Sequence, residues 1–220
     1  ISASTEEVMG QIPAGDKSDV DLAVKAAQEA FESWSQTSVE ERVEWLTKLQ
    51  GGLGARMDEI AETITGELGM PIGMSKAIQA GLPMATSGAI VETLKNYSFE
   101  EQVGNSKIVR EPIGVVGCIT PWNFPLHQII LKVAPAIAAG CTVVLKPSEV
   151  APLNAVVFTE ILHDAGVPPG VFNLINGDGP SVGAPLSSHP DVDMMSFTGS
   201  TRAGVEVAKN AAPTVKRVAQ

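Results

Sequence analysis

The sequence predicts an α/β fold in which a helical region precedes a doubly wound parallel sheet. Two observations support this prediction. From Ile113 onward, short and wholly apolar runs alternate with helical segments, which indicates parallel strands buried on both faces. Before about Asn96, the apolar residues recur with a helical period. Together these patterns are typical of a Rossmann-like core.

Three helices are expected before the sheet. The apolar face that recurs over residues 19–31 indicates the first. Ser38-Val39-Glu40-Glu41 is a capping box that opens the second. After a break at Gly69-Met70-Pro71, a third helix is expected over residues 74–94.

A β-hairpin is expected next, because residues 101–111 are polar and extended around a Gly104-Asn105 turn. We therefore divide the chain into an N-terminal helical part (1–98), the hairpin (99–112) and the sheet-containing core (113–220).

The core alternates strands with helices that end near glycine, asparagine or proline. The expected strands cover residues 114–119, 142–145, 171–174, 194–197 and 215–219. The expected helices cover residues 127–139, 153–165, 182–188 and 203–211.

Composition argues against several classes of partner. The net charge of −10 disfavours a nucleic-acid or anionic-membrane surface. There is no apolar run of transmembrane length and no signal-peptide pattern, so a cytoplasmic location is the default expectation. Cys118 and Cys141 form neither a disulfide framework nor a metal-ligand pattern, and we interpret both as buried, inert thiols.

The most informative motif is the turn Pro121-Trp122-Asn123-Phe124-Pro125, which follows the first predicted core strand. Ligands of α/β folds bind where such strands end. An Asn123 amide held between two prolines is a rigidly aimed hydrogen-bond donor. The alternative is a stiff turn in which the asparagine satisfies local backbone groups.

Two further motifs also lie at predicted strand ends. Lys146 and Glu149 follow the second core strand, either facing a nucleotide or forming an exposed ion pair of little energetic value. Gly199 to Gly204 follow the fourth core strand and open a helix whose N-terminal amides suit a phosphate. The glycine-rich segment from Gly177 to Gly183 departs from the G-x-G-x-x-G spacing.

With these motifs, the chain resembles the aldehyde dehydrogenase superfamily. Lys146-Pro147-Ser148-Glu149 is similar to the cofactor-ribose motif of that family, and Phe197-Thr198-Gly199-Ser200 is similar to its nicotinamide-side turn. The segments from Gly166 to Asn173 and from Ser188 to Pro190 resemble its linking segments. All occur in the family's order and spacing, and the resemblance extends to Gln220.

The resemblance implies two catalytic residues. Asn123 matches the amide that helps form an oxyanion hole for the thiohemiacetal, and Lys132 falls where the family keeps a lysine near the catalytic centre. For Lys132 the alternative is a lysine that snorkels from its helix.

The resemblance also implies an NAD site, with NADP possible because some members use both. Glu149 favours NAD, since a carboxylate that accepts hydrogen bonds from both ribose hydroxyls would repel a 2′-phosphate. For Ile119, Thr120 and Trp122, the alternative is simple packing at a sheet end. The predicted cofactor residues are Ile119, Thr120, Trp122, Lys146, Ser148, Glu149, Gly179, Gly183, Phe197, Gly199 and Ser200.

The implied reaction is oxidation of an aldehyde to a carboxylic acid. A cysteine attacks the aldehyde, hydride passes to the nicotinamide, and activated water releases the acid. The family's general-base glutamate would follow Gln220, and the nucleophilic cysteine lies further on. We therefore expect a piece of a longer enzyme that lacks its catalytic domain and is inactive alone.

Two alternatives remain open. The first is that the chain is a non-catalytic nucleotide-binding or oligomerising module. The second is that its parent is a CoA-acylating or semialdehyde-type enzyme. The expected partners are a small-molecule aldehyde and further copies of the chain, as a dimer or tetramer. The resemblance identifies the 99–112 hairpin as the oligomerisation arm, which would pair with a strand near the parent's C-terminus.

Overall fold

The computed structural model describes all 220 residues, and its first half is helical. No helix combines the length and apolar character needed to span a lipid bilayer. The helices are α1 (Lys17–Trp34), α2 (Val39–Ala55), α3 (Met57–Leu68), the short α4 (Ile72–Met74) and α5 (Gly81–Lys95), with a π-helical segment, Ser75–Ala80, between the last two.

Side-chain caps fix where the first two helices begin. The Ser38 hydroxyl accepts the Glu41 N–H at 3.1 Å, while the Glu41 carboxylate accepts the Ser38 N–H at 2.7 Å. This reciprocal pair confirms the predicted capping box of α2. Asp16 and Asp19 form a corresponding box at the start of α1. The glycines late in α2 do not end the helix; a Cβ on Gly52 would lie 2.6 Å from Ile161 of the neighbouring helix, so this glycine permits close packing.

The predicted hairpin is present as β1 (Glu100–Val103) and β2 (Ser106–Val109). The strands pair antiparallel around the Gly104-Asn105 turn, and Gly104 adopts a φ of +58°. Every residue of both strands is exposed, so the hairpin projects from the body of the chain.

The predicted doubly wound parallel sheet is confirmed. Its strands lie in the order β5-β4-β3-β6-β7, and each neighbouring pair is parallel. They are β3 (Val115–Ile119), β4 (Thr142–Lys146), β5 (Phe172–Leu174), β6 (Met194–Phe197) and β7 (Arg217–Ala219). The connecting helices are α6 (Pro125–Ala138), α7 (Leu153–Asp164), α8 (Ala184–Ser188), which continues a π-helical segment Gly179–Gly183, and α9 (Thr201–Ala211).

Each face of the sheet carries its own hydrophobic core. Helices α2, α3, α5, α6 and α7 contribute to the larger core, while α1, α8 and α9 contribute to the smaller one. After β3 the chain adds β4 and β5 on one side, then crosses to place β6 and β7 on the other. The strand order therefore reverses between β3 and β6, which is where ligands of open α/β sheets bind.

Several predictions of the helices and strands were wrong. Helix α3 was not predicted as a separate element; it follows α2 after a break at Arg56. Helix α9 begins at Thr201, two residues before its predicted start. β7 begins at Arg217 and not at residue 215, because Val215 adopts a left-handed φ of 55° that ends the preceding turn. Helix α6 begins at Pro125, two residues early, since proline is well suited to a first helical position. Part of the helix expected over 182–188 is π-helical, and this segment begins at Gly179.

Candidate functional site

A cavity of about 920 Å³ opens at the carboxyl edge of the sheet, where the strand order reverses. The ends of β3, β4 and β6 form its floor, and α9 together with the segment leading into α8 forms its walls. Asn123 and all of the predicted cofactor residues line it: Ile119, Thr120, Trp122, Lys146, Ser148, Glu149, Gly179, Gly183, Phe197, Gly199 and Ser200. The fold therefore brings together motifs that lie far apart in sequence, from Ile119 to Ser200.

Lys146 and Glu149 form an ion pair at the end of β4, with Nζ 2.7 Å from Oε2. The lysine side chain is 5% exposed and the glutamate 51%, so this is not a freely solvated surface pair. Burial raises the pKa of Glu149, but the hydrogen bond from Lys146 and a backbone N–H outweigh burial and leave the pKa lowered. The cavity is thus lined by a charged carboxylate that is paired with a buried ammonium.

The end of β3 places one unpaired hydroxyl beside the cavity. Ile119 belongs to the smaller core, as the packing alternative expected. Thr120 is 3% exposed, and its Oγ1 is buried without a hydrogen-bond partner in the protein. Trp122, in contrast, is 53% exposed beside the cavity, so packing does not account for it. A buried, unpaired hydroxyl in a cavity wall is a group that a ligand can satisfy.

The Asn123 turn is held from below by a buried side chain. Gln79, from the π-helical segment, donates from Nε2 to the Asn123 carbonyl oxygen at 3.2 Å. Asn123 itself is exposed on the cavity side.

Lys132 does not line the cavity but reaches a residue that does. Its Nζ donates to the Thr198 hydroxyl at 2.8 Å and lies 3.4 Å from Ser196 Oγ. Burial lowers the pKa of this lysine. Lys132 therefore points towards the end of β6, where Thr198 connects it to the cavity, and it does not extend into solvent.

The two helical starts at the cavity differ in charge. Asp178 caps the glycine-rich segment by accepting the Ser181 N–H at 2.7 Å and the Ser181 hydroxyl at 2.6 Å, and these bonds lower the pKa of Asp178. A neutral hydroxyl, that of Ser200, caps α9 and accepts the Ala203 N–H at 3.3 Å. An anion is therefore better accommodated at the start of α9, because the other start already holds a carboxylate.

The turn before α9 requires glycine. A Cβ on Gly199 would lie 2.6 Å from the Phe197 ring. The small residue thus lets the aromatic ring lie against the backbone at the cavity wall.

Ten of the 22 lining residues were not predicted as site residues. Five of these ten lie inside the segments quoted from the sequence: Pro121, Pro180, Thr198, Arg202 and Ala203. The other five, Ala184, Ser187, Glu206, Val207 and Asn210, lie outside them. Those on α9 recur at helical spacing, so this face could have been inferred once the start of α9 was assigned to the sheet edge.

Neither cysteine is available for chemistry at the cavity. Burial raises the pKa of the Cys118 thiol to about 12 and also raises that of Cys141. Both are buried in the larger core, as predicted. The structure brings together no group of three or more His, Cys, Asp or Glu side chains that could hold a metal ion.

The aldehyde dehydrogenase family model matches residues 1–220, and the chain belongs to this family. The 3-succinoylsemialdehyde-pyridine dehydrogenase of a Pseudomonas species is 52% identical over 225 residues, covering all of this chain and 46% of the relative. The chain therefore spans about half the length of the curated relatives it matches.

Solved structures of the family share the fold. A mutant of aldehyde dehydrogenase C from Pseudomonas syringae, in complex with NAD+ and octanal, is 51% identical with a TM-score of 0.98, covering 99% of this chain and 45% of that one. The aldehyde dehydrogenase of Bartonella henselae is 47% identical with a TM-score of 0.97, covering 99% of this chain and 47% of that one. A betaine aldehyde dehydrogenase from Staphylococcus aureus, in complex with NAD+, is 35% identical with a TM-score of 0.95, covering 99% of this chain and 44% of that one.

Proposed function

We propose that this chain is the NAD-binding part of an enzyme that oxidises a small-molecule aldehyde to a carboxylic acid. The observation that carries the proposal is the Lys146–Glu149 pair at the cavity between β3 and β6. Family membership supports it, as do the NAD+ complexes of two related structures, one of which also contains octanal.

The residues of the cavity fit a dinucleotide. The Glu149 carboxylate and Lys146 ammonium would bind the ribose hydroxyls, and the N-terminal amides of α9 would receive the pyrophosphate. The unpaired hydroxyl of Thr120 supplies a polar contact. Gly199 lets the Phe197 ring lie against the backbone, where both residues form part of the cavity lining. When bound, NAD+ supplies a hydride acceptor.

The same carboxylate sets the cofactor preference. Glu149 is charged at neutral pH, and a 2′-phosphate on the ribose would lie beside it. We propose that NAD is preferred and that NADP binds more weakly.

Asn123 would act on the substrate side of the cavity. In the family route a cysteine thiolate adds to the aldehyde, and the carbonyl oxygen gains negative charge. A neutral amide stabilises that charge without itself titrating. Lys132, through Thr198, is proposed to hold the β6 end of this site in place.

The chain alone is proposed to be inactive, because neither of its thiols can serve as the nucleophile. Purified residues 1–220, mixed with NAD+ and an aldehyde, should form no NADH above a protein-free blank. Aldehyde-dependent NADH formation, measured at 340 nm, would overturn this part of the proposal.

Paired substitutions test the ribose assignment. Lys146→Met and Glu149→Gln each remove one charge while keeping side-chain size, and each should weaken NAD+ binding about 10- to 100-fold, the cost of losing a charge-assisted hydrogen bond. Lys95 and Glu92 form a matched i,i+3 pair on the exposed face of α5, with a 2.7 Å contact. Lys95→Met and Glu92→Gln should leave calorimetric NAD+ affinity unchanged. Unaltered affinity in both cavity variants would refute the assignment.

A second candidate function is self-association through the hairpin. The side chains of Val103, Ile108 and Val109 are 51%, 41% and 50% exposed. Exposed apolar side chains on an unpaired two-stranded edge favour pairing with another chain. We propose that the hairpin joins copies of the protein into a homo-oligomer.

A further inference from the structure

The turn that carries Asn123 contacts a buried amide on a different part of the chain. Gln79 is fully buried, and its Nε2 lies 3.2 Å from the Asn123 carbonyl oxygen, 44 residues away in sequence. Trp122, Asn123 and Phe124, between the two prolines, are all exposed. This bond is the side-chain hydrogen bond that connects the exposed turn to the helical region.

The chemistry of the two groups fixes how the glutamine amide is oriented. A backbone carbonyl only accepts hydrogen bonds, so the NH2 group of Gln79 must face Asn123. This orientation leaves the Gln79 Oε1 buried without a protein partner. A buried, unpaired acceptor disfavours the folded state, and an apolar side chain of similar shape would avoid that cost. A contribution to the stability of the fold therefore does not explain why position 79 is a glutamine.

The backbone around Gln79 is also unusual. The segment Ser75–Ala80 is π-helical and joins α4 to α5. It packs against both α3 and α6, the helix that follows the Asn123 turn. π-helical turns are rare, and they frequently occur at functional sites. The unpaired amide oxygen and the π-helical backbone thus occur at the same residue, Gln79, which contacts the Asn123 turn.

We propose that Gln79 is a positioning residue, which fixes the backbone at Asn123 so that the Asn123 amide faces the cavity. The positioning itself is a property of this chain. Its consequence for catalysis rests on the proposed function of Asn123 as a donor to the substrate oxygen, because such donors act only when held in place.

Backbone order in the turn tests the proposal. In the wild-type chain, 15N relaxation should give order parameters near the rigid value of about 0.85 at Trp122, Asn123 and Phe124. Gln79→Met, which keeps the shape and removes the amide, should lower them towards about 0.6 without lowering Tm. The control is Ser87→Ala in α5, another fully buried polar position, whose hydroxyl bonds within its own helix. Order parameters that stay unchanged in the Gln79 variant would overturn the proposal.

A measurement on the wild-type protein covers the case in which Gln79→Met does not fold. The side-chain NH2 protons of Gln79 should exchange with solvent at least about ten times more slowly than those of the exposed Gln28, because the proposal requires a persistent bond. Equal exchange rates would overturn it.

Two further readouts separate this inference from the proposed function. The first is NAD+ binding, which should be the same in Gln79→Met and in the wild type. If the wild type itself binds no NAD+, the proposed function is refuted, but the order parameters of the Asn123 turn still test the positioning role of Gln79. In an active enzyme that contains this chain, Gln79→Met should lower kcat roughly 10- to 100-fold with KM for NAD+ unchanged. A raised KM with unchanged kcat would contradict the positioning role.

Discussion

At the scale of single residues, buried charge is concentrated where elements meet. Glu67, on α3, is 5% exposed, and its carboxylate accepts hydrogen bonds from the backbone N–H groups of Leu153 and Asn154 and from the Asn154 side chain. It thereby caps α7, whose own N-cap residue is a proline without a capping side chain. Burial nevertheless outweighs these bonds and raises the pKa of Glu67.

This raised pKa predicts how stability depends on pH. The folded chain holds the Glu67 proton more tightly than the unfolded chain, whose value is near 4.5, so the native state binds more protons just above that pH. The contribution of Glu67 to the free energy of unfolding is therefore largest below the unfolded pKa. It is lost as pH rises through the folded pKa, with a slope of at most about 1.4 kcal/mol per pH unit.

Glu67→Gln should remove that slope, as measured by urea denaturation from pH 4 to pH 7. Glu62→Gln, at an exposed position of the same helix, serves as the control and should keep it. An identical pH dependence in wild type and Glu67→Gln would show that Glu67 is not the source of this slope.

At the scale of elements, the features that were predicted correctly are those that depend on residues close together in sequence. The capping box at Ser38 and the Gly104-Asn105 turn were predicted correctly, because each depends on side chains within four residues. The π-helical segments were not predicted, since their apolar pattern does not differ from that of an α-helix. Packing between elements selects the wider turn, and short-range periodicity does not record it.

Ser38→Ala should destabilise the fold by about 1 kcal/mol, because the first turn of α2 loses its cap. Chemical denaturation at pH 7 measures the change, and Ser33→Ala, at an exposed position near the end of α1, should stay within about 0.5 kcal/mol of the wild type. Equal effects of the two substitutions would show that the cap is dispensable.

At the scale of the whole molecule, the parallel sheet was predictable because its central strands are continuous apolar runs. Much of the site was predictable because motifs at strand ends must converge on one edge. The contact between Gln79 and Asn123 was not, since it joins distant segments through a single polar pair. The sequence also did not predict that Lys132 contacts Thr198 without lining the cavity, because the position of Lys132 depends on how α6 packs beside β6.

The exposed hairpin leads to a prediction about assembly. Ile108→Glu places a charge on its apolar surface and should shift the protein towards monomer, as measured by sedimentation velocity. Leu22→Glu, at a 67% exposed position on α1, is the control and should leave the oligomer intact. A monomeric wild type, or an unchanged oligomer in the Ile108 variant, would remove the hairpin from assembly.

We propose that the cavity between β3 and β6 is an NAD site whose cofactor preference is set by Glu149. Calorimetric titration of the wild-type chain with NAD+ and, separately, with NADP+ tests it most directly. We expect saturable NAD+ binding at one site per chain and NADP+ affinity at least about tenfold weaker, the effect of a carboxylate facing the 2′-phosphate. Absence of saturable NAD+ binding, or tighter binding of NADP+, would contradict it.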